Sequence, residues 1–156
     1  MSLRSRVHEV IRQGLGNGDI EELVSSEPRA VRYFLGMSYH SDPDIRKKAV
    51  KGIAVAARHH PELVQKIVRQ LVWAMNDESA TNALTAPEVM LAIANERPEL
   101  LLPMVPDLTR LAADPGLHQG LSEALKTLVR RCPGKVGEKL SRSLNDCRES
   151  SNGESL

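Results

Sequence analysis

Aromatic residues are scarce in this chain. One Trp, one Phe and two Tyr make up 3% of its 156 residues. A core built on stacked rings is therefore excluded, and the interior must be filled by Leu, Val, Ile, Ala and Met, as suits packed helices. There are only two cysteines, Cys132 and Cys147, and their spacing fits no metal motif. Cys147 continues the stripe Val136, Leu140, Leu144 and reads as a small buried hydrophobe. No apolar run is long enough to span a membrane, and Met1-Ser2-Leu3-Arg4 has no signal-peptide character. Both absences point to the cytoplasm. The formal net charge is +1, which leaves no global pull toward nucleic acid or anionic lipid. Gly-rich phosphate loops, nucleophile elbows and zinc spacings are all missing. No catalytic residue, metal or cofactor is expected.

What the chain does have is a repeat. Pro28, Pro61, Pro98 and Pro133 are spaced by 33, 37 and 35 residues, and Asp42, Asp77 and Asp114 by 35 and 37. Each Pro opens an amphipathic segment and each Asp marks the turn before the next. A period in this range with two helices per unit predicts an all-α fold, an α-solenoid of stacked antiparallel helix pairs. Neither helix of a pair can bury its apolar face alone, so each unit covers its neighbour. The expected layout is one domain of three to four units over residues 1–147. The Ser/Glu/Asn/Gly-rich stretch 148–156 is expected to be a disordered tail.

The pattern predicts individual helices. Leu3, Val7, Val10 and Ile11 fall at helical spacing, with Gly14, Gly16 and Gly18 ending that helix. Asp19 with Glu22 resembles a capping box opening a short helix to about Ser25. Pro28 should start the first helix of unit one, with Val31, Phe34, Leu35 and Ser38 on one face. A second helix should run from Pro43 to Arg58 on the stripe Ile45, Ala49, Ile53, Ala56. The cleanest stripe is Val64, Ile67, Val68, Leu71, Val72, Met75, in the helix opened by Pro61. Thr85 and Glu88 form a candidate capping box, leaving Asn76 to Leu84 as a long loop or kinked turn. Pro103 and Pro106 must break any helix between Pro98 and Ala113. Leu117, Leu121, Ala124, Leu125 and Leu128 mark the next helix, and Val136 to Cys147 the last.

Asp42-Pro43-Asp44-Ile45-Arg46-Lys47-Lys48-Ala49-Val50 resembles the inter-helix turn of HEAT-like repeats: an Asp, an aliphatic-Arg pair, then Ala on the second helix. Asn76-Asp77-Glu78-Ser79 followed by Ala86-Pro87-Glu88 is similar to uncharacterised bacterial HEAT-like proteins. The resemblance spans residues 28 to 146. The units are shorter than the family's usual period of about 40 or more, and the Arg at 46 has no equivalent in the other two turns. HEAT-like hydroxylases that bind two irons use several His-Glu pairs; this chain has only His8-Glu9.

The resemblance implies that the helix after each Asp turn lines a concave side. At 100° per residue, Lys47, Lys51 and Arg58 lie opposite the core stripe of the first such helix. Leu84, Leu91 and Asn95, with Glu88 beside them, do so on the second, and Gln119, Glu123, Lys126 and Arg130 on the third. An apolar centre at Leu91 with charged flanks is how a protein-binding groove is built; a merely solvated face is the competing reading. Trp73 lies about 180° from its helix's stripe. It is expected to be buried against the next unit, since a solenoid helix touches two neighbours; exposed, it would be an anchor. Trp73, Asn76, Asp77 and Glu78 form a second candidate site, although Asn, Asp and Ser in such a position more simply tie a turn. His59-His60 suits hydrogen bonding at a helix C-terminus better than metal binding.

Two functions are weighed. One is a non-enzymatic scaffold or adaptor that holds another protein in the concave groove. The other is a nucleic-acid-binding protein resembling HEAT-like alkylpurine glycosylases; the row Lys47, Lys51, Arg58 favours it, while neutral charge and few stacking aromatics oppose it. Some HEAT-like proteins attach bilins, and nothing here singles out that activity. Leu71, mid-stripe, gives a first test of the helical phase. Leu71→Ala should cost about 2–5 kcal/mol in a denaturant melt; a loss below about 0.5 kcal/mol would place it on the surface.

Overall fold

The structure, a computed structural model, describes residues 2–13, 17–77 and 84–140. Among them all regular structure is helical and no strand occurs. The helices are α1 (Leu3–Arg12), α2 (Asn17–Ser26), α3 (Ala30–Met37), α4 (Pro43–His59), α5 (Pro61–Asn76) and α6 (Ala86–Glu96). Two 3₁₀ turns follow, Pro98–Leu100 and Leu102–Met104, and then α7 (Val105–Leu111) and α8 (His118–Arg131). Helical residues resume over 135–140. None of the described helices is long and apolar enough to cross a membrane.

The predicted starts and stops have local causes. Ser2 Oγ caps α1 by accepting from Ser5 N–H at 3.1 Å. Asp42 caps α4, its Oδ1 accepting from Asp44 N–H at 3.0 Å, with Pro43 in the first turn, where its missing N–H costs nothing. Asp114 makes the same two-residue bond, to Gly116 N–H at 2.8 Å. Asp77 follows α5 in extended backbone, as Asp42 does before α4. Between Pro98 and Ala113 the chain is broken as expected, because Pro103 and Pro106 remove helix donors.

Three local expectations are corrected. Gly18 and Asp19 lie inside α2, which already begins at Asn17, so Asp19 is a first-turn acid and not the cap. Thr85 has helical backbone and no cap hydrogen bond from its side chain. Pro28 sits in a turn and α3 starts only at Ala30. Gly14, Gly16, Leu144, Cys147 and the tail 148–156 lie outside the described residues.

The proline ladder corresponds to a recurring corner. The residues before Pro61, Pro98 and Pro133 share one backbone conformation: His60 at φ −134, ψ 64, Arg97 at φ −145, ψ 74, and Cys132 at φ −128, ψ 67. A residue before Pro is pushed out of the α region by the ring, so the helix stops there. Each still donates its N–H into the preceding helix: His60 to Ala56 O, Arg97 to Ile93 O, Cys132 to Leu128 O. Glu27, before Pro28, does the same to Leu23 O.

Packing brings the second helices side by side: α2 touches α4, α4 touches α6, and α6 touches α8. On their other side α3 packs on α4, α5 on α4 and α6, and α7 on α8, with α5 also touching α7. All six stripe residues of α5, Leu71 included, are buried, and so are Ala49, Ile53 and Ala56 of α4. α4 is covered on more sides than one stripe predicts, because α1, α2, α3, α5 and α6 all contact it. The two tightest approaches are at Gly120, where a Cβ would lie 2.4 Å from Pro87, and at Gly52. A Cβ there would lie 2.4 Å from the ring of Phe34, which is itself fully buried.

That crossing can be tested by contrast within the helices it joins. Gly52→Ala should destabilise by about 1–3 kcal/mol, the cost of overpacking a filled core. Gly36→Ala, where a Cβ meets nothing within 4 Å, should stabilise by about 0.5–1 kcal/mol through helix propensity. Equal effects in thermal melts of the two variants would show that the α3–α4 contact is looser than described.

Candidate functional site

The face expected to bind a partner is carried by α4, α6 and α8. Helical phase puts its residues opposite the core stripe of each helix, and α4 contacts α6, which contacts α8. Lys47, Asn95, Glu123, Lys126 and Arg130 are exposed, and Lys51 and Leu91 are half-buried. Leu91 packs partly against the core, so it forms the floor of the face rather than a projecting knob. Leu84, placed by phase on α6's outer side, precedes that helix and is 69% exposed. Gln119 is exposed on α8.

The charges on this face divide into two kinds. Some are held between helices. Arg46 Nε on α4 donates to both carboxylate oxygens of Glu88 on α6, at 3.0 and 3.1 Å. Arg58 on α4 pairs with Glu21 on α2 at 2.7 Å and with Glu96 on α6 at 3.4 Å. Pairs this exposed contribute little stability, since solvent screens them; they set which helix faces which. Lys47, Lys51, Lys126 and Arg130 have no such partner among the described residues. Glu88 and Arg58, predicted as contact residues, are thus engaged within the molecule, and the free cations are the two lysines of α4 and the pair on α8.

Beside this face runs a series of ties between the last turns of α2, α4, α6 and α8. The last carbonyls of a helix lack intrahelical donors. His60 Nε2 hydrogen-bonds Val24 O of α2 at 2.8 Å, 36 residues away. Arg97 Nη1 donates to Ala57 O and Arg58 O of α4, 40 and 39 residues away. Arg131 donates to Asn95 O of α6, 36 residues away. Each side chain at or next to a pre-proline corner therefore satisfies the previous corner's helix. His59 and His60 act at helix ends as expected, His59 through Glu21 at 2.9 Å. Glu21, Arg97 and Arg131 escaped the sequence reading. For Arg97 and Arg131 a place beside a ladder Pro was the available signal, but nothing in one sequence said that the side chains reach backward by one period; Glu21 had no such signal.

The second candidate region is partly corrected. Trp73 is not buried between units; it is 69% exposed. The expected neighbour does not cover it because α5 meets α4, α6 and α7 through its stripe and flanks, leaving the opposite side to solvent. Asn76 Nδ2 donates to Val72 O within α5 at 3.1 Å and its Oδ1 accepts from Arg110 of α7 at 3.4 Å. Asp77 N–H closes α5 on Trp73 O and Ala74 O, each at 3.2 Å. Glu78 lies outside the described residues. No group of three or more His, Cys, Asp or Glu among the described residues could hold a metal ion.

The hydrogen bond from His59, then that from Arg58, holds the Glu21 carboxyl below its ordinary value near 4.5. A carboxylate held down in this way makes its contribution above the unfolded value and loses it as pH falls through the lower folded one. In a carboxyl-carbon NMR titration Glu21 should therefore titrate below 4.5, and His59→Ala and Arg58→Ala should each move it upward. An unshifted midpoint in both variants would break the link between α2 and α4. Compared with known proteins, the chain matches no family model, no curated protein and no solved structure.

Proposed function

We propose that the chain is a HEAT-like helix-pair solenoid that works as a non-enzymatic scaffold, holding a partner protein on the face formed by α4, α6 and α8. Support for the solenoid comes from the recurrence of one corner before Pro61, Pro98 and Pro133 and from the side-by-side run of second helices. The observation that carries the binding face is the division of its charges. Arg46, Arg58, Glu88 and Glu96 are consumed in pairs between helices. Lys47, Lys51, Lys126 and Arg130 remain unpaired around the half-buried Leu91. Charges left unpaired at the rim of a small apolar floor steer and select an acidic partner, while the floor supplies the desolvated contact.

The test is a charge-reversed variant, Lys47→Glu with Lys51→Glu and Lys126→Glu, used beside the wild type in affinity capture from the source cell. These side chains are exposed or half-buried on one face, so the melting temperature should stay within the small range of surface changes, about ±0.5 kcal/mol in stability. A protein retained by the wild type and lost by the variant, more readily lost as salt rises, is the expected result. Equal capture by both would remove this face as the site. A salt-dependent shift of labelled DNA by the wild type alone would favour nucleic acid as the partner instead.

A further inference from the structure

Trp73 is the only tryptophan, and it stands exposed on a helix whose opposite side is core. Such a side chain loses more by hydration than any other when it could have been buried. It is also not isolated. At 100° per residue, Glu62, Lys66, Arg69, Trp73 and Asn76 fall in one narrow stripe along α5, facing away from Val64, Val68 and Leu71. All five are exposed, and Asn76 among them touches another helix, through Arg110 of α7. Glu62, Lys66 and Arg69 have no ion-pair partner among the described residues. Alongside the stripe lies a depression of about 270 Å³, between α5 and the first 3₁₀ turn, lined by Pro61, Glu62, Gln65, Lys66, Arg69 and Leu100. Its floor is fixed by Gln65 Nε2, which donates to Leu100 O at 2.8 Å.

We propose that this stripe is a second docking surface, for an acidic amphipathic helix of a partner protein anchored on Trp73. It lies on a different row of helices from the α4–α6–α8 face, so the two surfaces can fail separately. Trp and Arg are the residues that carry binding energy in protein interfaces, and here they stand one helical turn apart. The unpaired Lys66 and Arg69 select carboxylates. Two cations with an acid on the same stripe are too few to neutralise a run of phosphates, and one indole is too few for a stacking platform; a protein partner fits better than a nucleic acid. A helix laid along α5 shares its rise of about 1.5 Å per residue. Carboxylates three residues apart then meet Arg69 and Lys66, and an aliphatic residue four further on meets Trp73.

The probe is a synthetic Ala/Gln-based helix of about 18 residues, carrying Leu, Glu, Glu and Leu at successive spacings of four, three and four. That spacing reads the same from both ends, so the peptide can dock in either direction. The control replaces both Glu by Lys. Emission from the single tryptophan reports this surface directly. It should shift to the blue saturably with the acidic peptide, less so at higher salt, and not with the lysine peptide. Measured by anisotropy of labelled peptide, Trp73→Ala should weaken binding at least about tenfold. Lys66→Glu with Arg69→Glu should do the same and transfer preference to the lysine peptide. Unchanged emission at the highest soluble peptide concentration overturns the proposal, as does equal binding of the two peptides. So does a shift produced by an oligo-dT strand or by phosphatidylserine vesicles in place of the peptide. Circular dichroism melts of each variant exclude unfolding as the cause of lost binding.

Discussion

A helix that stops leaves its last carbonyls without donors, and a fold built from many short helices multiplies that problem. Here the same solution recurs. Proline forces the preceding residue out of helical backbone at His60, Arg97 and Cys132, which turns the chain into the next element. A side chain at or beside the corner then reaches back and bonds a carbonyl at the end of an earlier helix: Val24 O, Ala57 O and Arg58 O, Asn95 O. Proline thus sets where these helices end, and His60, Arg97 and Arg131 join their ends to those of earlier helices. The row α2, α4, α6, α8 rests on that regularity.

The row also explains why the charged residues of the candidate face behave so differently. Helix contacts bring Arg46 to Glu88 and Arg58 to Glu21 and Glu96, so neighbouring helices neutralise one another at those points. Lys47, Lys126 and Arg130 are exposed and Lys51 is half-buried, and none has an ion-pair partner among the described residues. The unpaired cations of this face outnumber its one unpaired acid, Glu123, although the whole chain is not basic; the formal net charge is only +1.

Close packing constrains the structure from the other direction. α4 is buried over most of its second half because five helices contact it, and only glycine at 52 lets the ring of Phe34 approach. α5 has the reverse character. Its buried side is a clean stripe, and its other side carries cations and an indole into solvent. The two helices differ not in amphipathic period but in how many neighbours surround them, which is a property of the tertiary packing and not of either segment.

How much of this was legible in the residues follows from the range of the forces involved. Hydrophobic period, proline and aspartate act within a few residues, so the all-helical class, the α5 stripe, the start of α4 at Pro43 and the break over Pro103 and Pro106 could all be read from the chain alone. Side-chain composition likewise settled that aliphatic residues fill the core. The capping roles assigned to Asp19 and Thr85 failed because a motif names candidate donors and acceptors but not the backbone angles they need. Exposure of Trp73, the half-burial of Leu91, the pairing of Arg58 and Glu88, and the backward ties from His60, Arg97 and Arg131 were decided only by tertiary structure. Each depends on which helix lies a full period away, and no local pattern encodes that distance.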